Sequence, residues 1–151
     1  MKKVFVLGIS ILFLWSCNNT TEKSTEKQAT ENHEEHQHDE SSEAIELNNG
    51  EKWLVNEEMK PFVMKGEELV NAYIQNNHTD YKALAQQVKD QNSQLIKSCT
   101  MDGKSHDELH KWLHPHLELV KELENSSDEN EAKEIVLKLQ KSNEMYHQYF
   151  K

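Results

Sequence analysis

Four apolar stripes at helical spacing, joined by short polar turns, constrain this chain more than any other feature. From Asn56 onward the large apolar residues recur every three or four positions. The first run reads Met59, Phe62, Val63, Gly66, Leu69, Val70, Tyr73 and Ile74. Asn56 suits an N-cap, Pro61 falls near the first turn where it costs least, and Asn76-Asn77 ends the run. The second opens at Thr79-Asp80, reads Tyr81, Leu84, Val88, Leu95 and Ile96, and stops near Cys99. In the third, Ser105 with Glu108 has the form of a capping box, which predicts a helix from about His106 to about Glu124. Pro115 lies well inside it and predicts a kink or a break near His114. Asn125-Ser126-Ser127-Asp128 turns the chain, and the fourth run reads Ala132, Ile135, Val136, Leu139, Tyr146 and Phe150. Ahead of these runs, Leu47 to Gly50 reads as a turn and Lys52 to Val55 as a short extended lead-in.

No stretch after residue 56 alternates with period two over a useful length, so strands are not expected. Helices of about twenty residues are about 30 Å long, and connections of a few residues force neighbours to pack antiparallel. The expected fold class is all-α: an antiparallel up-down-up-down four-helix bundle over residues 46–151, with one modest core.

The first 45 residues are of a different kind. Lys2 and Lys3 precede an apolar run from Val4 to Trp15, too short for a membrane span and shaped like a secretory signal peptide over residues 1–16. It ends Leu14-Trp15-Ser16-Cys17, which resembles a bacterial lipobox with an unusual Trp15. The resemblance implies cleavage before Cys17, lipid on its sulfur, and a membrane partner reached through that lipid anchor at the cell envelope, on the periplasmic side or surface of a bacterial membrane. Residues 17–45 are polar and nearly empty of large apolar side chains, the composition of a flexible tether. Within it His33-Glu34-Glu35-His36-Gln37-His38-Asp39-Glu40 reads either as a solvated spacer or as a weak cation-collecting arm.

Lipid on Cys17 leaves Cys99 without a partner in its own chain, which excludes an intrachain disulfide scaffold. The net charge is −10, it becomes more negative when Lys2 and Lys3 leave, and the chain has no arginine. Nucleic acid and anionic lipid head groups are poor partners for such a surface, whereas cations and a basic redox or metal-delivery protein suit it.

The expected helix order gathers ligand-type residues at one pole. Met59 and Met64, Cys99 and Met101, His106 and His110, and His147 fall there, while the other end carries only His78. His106, His110 and His114 form a row at spacing four, and His116 falls instead on the apolar stripe. Thioethers, a thiol and imidazoles suit copper, zinc or haem iron and suit magnesium or calcium badly. Hydrolytic motifs such as His-Glu-x-x-His, Gly-x-Ser-x-Gly or a phosphate loop do not occur, so an enzyme is not expected.

Asn56-Glu57-Glu58-Met59 at the start and Tyr146-His147-Gln148-Tyr149-Phe150-Lys151 at the end resemble cytochrome b562, a periplasmic four-helix bundle that holds haem b non-covalently. The resemblance implies Met59 and His147 as axial ligands and electron transfer as the role. The connection between the second and third helices is much shorter than in that family, and Cys99 to His116 has no counterpart there. Three readings follow: a haem b electron carrier using Met59 and His147; a copper- or zinc-handling lipoprotein using two or three of Cys99, Met101, His106, His110 and His147; and a structural bundle presenting an acidic surface to a protein.

Overall fold

A computed structural model describes residues 44–151. Signal peptide, Cys17 and the His33–His38 tract lie outside the described residues. The described residues form four helices: α1 (Lys60–Gln75), α2 (Tyr81–Ser98), α3 (Gly103–Asn125) and α4 (Glu129–Tyr149). Each packs on the next, α4 packs back on α1, and the described residues contain no strand beyond isolated bridges.

Local chemistry explains most helix ends. Asp80 caps α2 by accepting from the Ala83 N–H at 2.9 Å, and Asp128 caps α4 by accepting from the Asn130 and Glu131 N–H groups. Pro61 sits in the first turn of α1, and Asn77 at φ 51° turns the chain out after its end. Lys82 Nζ donates to the terminal carbonyls of α3 at Glu124 and Ser126, placing a cation on the negative end of that helix.

Three expectations are corrected. α3 begins at Gly103, not at about His106, because Gly103 at φ +59° lets the chain turn directly out of extended Asp102. Glu108 does not close a capping box; its carboxylate is buried and taken by Lys111 and the Glu46 N–H. Pro115 does not break α3, since it is exposed and water can serve the carbonyl left without its donor. In addition, α1 starts four residues after Asn56. That side chain instead donates to the Ser98 carbonyl (2.9 Å) and accepts from the Thr100 N–H (3.2 Å), tying the lead-in to the α2–α3 connection.

Residues 44–56 form a strap over one end of the bundle. Glu46 N–H donates to Glu108 Oε2 at 2.7 Å, and Trp53 Nε1–H donates to the Glu46 carbonyl at 2.6 Å. Trp53 and Val55 then run alongside the last residues: Trp53 N–H donates to Tyr149 O, Lys151 N–H to Trp53 O, and Val55 N–H to Lys151 O. Ile45 already packs on the core, so the bundle's contacts begin slightly ahead of residue 46.

The apolar interior falls into two clusters. One holds Trp53, Val55, Met59, Val63, Leu95, Leu109, Trp112, Leu113, Tyr146 and Phe150. The other holds Val70, Leu84, Ala85, Val88, Val120, Leu123, Ala132, Ile135, Val136 and Leu139. Each large side chain buried in this way contributes about 1.5–3 kcal/mol. The helical stripes supply most of them, but Trp53 and Val55 come from the extended lead-in, and Ile96 of the second stripe is largely exposed.

Candidate metal centre

The first cluster collects the sulfur atoms. Met59, 1% exposed, lies within it, and Cys99 and Met101 pack against it partly buried. Cys99 is the C-cap of α2 and Met101 follows in the short connection, so both sulfurs arrive because that connection crosses the end of the bundle. Trp112, Tyr146 and Phe150 wall the same space, with Tyr146 and Phe150 stacked at 5.3 Å. Burial, helped by the charge of Glu57, pushes the Tyr146 hydroxyl up to about 12, so it keeps its proton at neutral pH. Met64, grouped with this pole from the sequence, is 52% exposed.

The imidazoles follow a different line. On α3, His106 and His110 stand edge to face with ring centroids 4.3 Å apart, and His110 and His114 do the same at 5.0 Å. His114 Nε2 lies 3.4 Å from His110 Nδ1. The spacing of four places these rings on successive turns of one helix face, as read from the sequence. His106 and His110 are half-buried and His114 is exposed.

His147 belongs to neither group. Its side chain is 43% exposed, and its Nε2 lies 2.7 Å from Glu67 Oε2 on α1. Glu67 is eight residues beyond Met59, about 12 Å along the helix. Met59 is thus enclosed by apolar and aromatic neighbours while His147 faces outward, and a porphyrin between them would need both to turn into one slot. At the other end His78 is exposed and lies near Tyr73.

The chain matches no protein-family model, no curated protein and no solved structure. The likeness to cytochrome b562 therefore stays with its two short motifs. Among the described residues, no three His, Cys, Asp or Glu side chains converge well enough to hold a metal ion by themselves, and no helix is long and apolar enough to cross a membrane. The arrangement brings two imidazole nitrogens together on α3, beside a separate sulfur-containing cluster.

Sequence reasoning missed three pairings near the candidate residues. Glu67 as the acceptor for His147 and Ser142 as the partner of buried His116 both come from distant helices, and periodicity does not pair specific side chains. Glu108 as a buried strap anchor was masked by its capping-box spacing.

Proposed function

We propose that this chain is an exported, lipid-anchored helical bundle that binds copper or zinc through His110 and His114, with His106 next in the row. The carrying observation is the 3.4 Å separation of His114 Nε2 and His110 Nδ1. Two imidazole nitrogens at about 2.0–2.1 Å from one tetrahedral metal lie about 3.3 Å apart, so the pair already has the bite that chelation needs. Both nitrogens would bind the metal as unprotonated acceptors, and water or a partner protein would fill the remaining positions. Export and the lipid on Cys17 rest on the basic and apolar start of the chain and its lipobox-like end.

The up-down-up-down order belongs to the same reading. Supporting it, residues of the Met59 cluster come early in α1 and α3 but late in α2 and α4. The haem b reading draws less support, because Met59 lies in the core and His147 is engaged with Glu67. Calorimetric titration of the protein with Cu(II) and with Zn(II) tests the proposal. One equivalent should bind, His110→Ala should weaken binding at least tenfold, and His147→Ala should leave it unchanged. Equal binding by the parent and His110→Ala would overturn it, as would a haem absorption lost in Met59→Ala.

A further inference from the structure

Halfway along the bundle the core ceases to be apolar. Gly66 on α1, Asn92 on α2, His116 on α3 and Asn143 on α4 each fall between residues of the two apolar clusters, and all four are buried. Together they form one level that crosses every helix. Two of them have unmet hydrogen-bonding capacity. Nδ2 of Asn92 and Nδ2 of Asn143 are buried without a partner, on side chains only 6% and 4% exposed. The third is committed elsewhere: His116 Nδ1 lies 3.0 Å from Ser142 Oγ, and its ring stacks on Trp112 at 5.0 Å. The fourth leaves room, since a methyl carbon placed on Gly66 would meet no atom within 4 Å beyond its chain neighbours and the backbone of its own helix. Protein interiors are close-packed, so open space beside a buried glycine is a gap, and this one lies at the level of the two orphaned donors.

We propose that this level is an internal binding site for a small neutral hydrogen-bond acceptor, occupied by water, that sits over Gly66 and bridges Asn92 Nδ2 and Asn143 Nδ2. The class of ligand follows from the lining. Donors from two helices call for an acceptor. Charge is disfavoured, because a buried ion needs a partner of opposite charge and Gly66, Asn92 and Asn143 supply none. Apolar cavities of this kind stay dry, whereas a gap with buried polar groups at its edge retains water. Nothing in the site depends on the histidine row of α3.

Water–protein cross-relaxation NMR on the parent protein reads this directly. Cross-peaks between a long-lived water and the Nδ2 protons of both Asn92 and Asn143 are expected. Gly66→Leu should abolish both, and an unchanged Trp112 Nε1–H resonance would show that the bundle still folds. Absence of both peaks in the parent overturns the proposal, and a peak at one asparagine alone overturns the bridge. If Gly66→Leu does not fold, the parent spectrum still decides. Peaks that persist in a folded Gly66→Leu protein place the water elsewhere and overturn the assignment to Gly66.

Discussion

His116 makes the stability of this bundle fall as the solution is acidified, by an amount the structure sets. The imidazole is 3% exposed, and burial lowers it from 6.5 to about 4. An unfolded chain takes up the proton below pH 6.5, but the folded chain refuses it until about pH 4. Stability from this group is therefore present above pH 6.5, is lost progressively as pH falls, and is gone below about 4. A shift of that size corresponds to about 3 kcal/mol, most of which disappears between pH 7 and pH 4.5. Urea unfolding at the two pH values, for the parent and for His116→Gln, isolates the contribution, since glutamine does not titrate and the carboxylates are common to both. The parent should lose about 2–3 kcal/mol more than the variant between pH 7 and 4.5. If the two curves run parallel within about 0.5 kcal/mol, His116 is not held neutral in the core and the reasoning fails.

Met59→Ala empties a site in the aromatic-walled cluster and should cost about 2–5 kcal/mol; a thermal-melt loss below about 1 kcal/mol would mean Met59 is not packed as described. Glu108→Ala leaves Lys111 and the Glu46 N–H without their shared acceptor and should cost about 2–3 kcal/mol. It should also red-shift the Trp53 component of the fluorescence as the strap loosens, and unchanged emission would separate Glu108 from the strap.

Helix existence was legible because it is local. The spacing of Leu84, Val88 and Leu95, or of Leu139, Tyr146 and Phe150, needs only one face and one core, and these residues are buried as that logic requires. The opening of the second helix at Thr79-Asp80 was legible for the same reason, whereas Asp128 was read only as part of a turn and is found to cap α4. Ser105 and Glu108 show where local reading fails: the capping-box spacing is present, but Glu46 and Lys111 outcompete it for the carboxylate. Asn92 and Asn143 occupy core positions on their own stripes, and a pattern built from large apolar residues steps over them. Around the candidate site, the row His106, His110, His114 follows from helical geometry alone. The separation of Met59 from His147 could not be read this way, because it depends on how α1 and α4 are rotated against each other, which brings Glu67 rather than Met59 to the imidazole.

The strap has a mechanical consequence. Its three backbone bonds between residues 53–55 and 149–151 lie side by side, running parallel, with Trp53 and Phe150 buried behind them. A pull applied to the chain ahead of Ala44 and directed along the strap loads these bonds together, in shear, instead of peeling them one at a time. The C-terminal residues are thereby part of the fastening for the N-terminal side. Trimming Phe150 and Lys151 would lower the force needed to draw the strap off the bundle, although both residues lie far along the sequence from where the pull is applied.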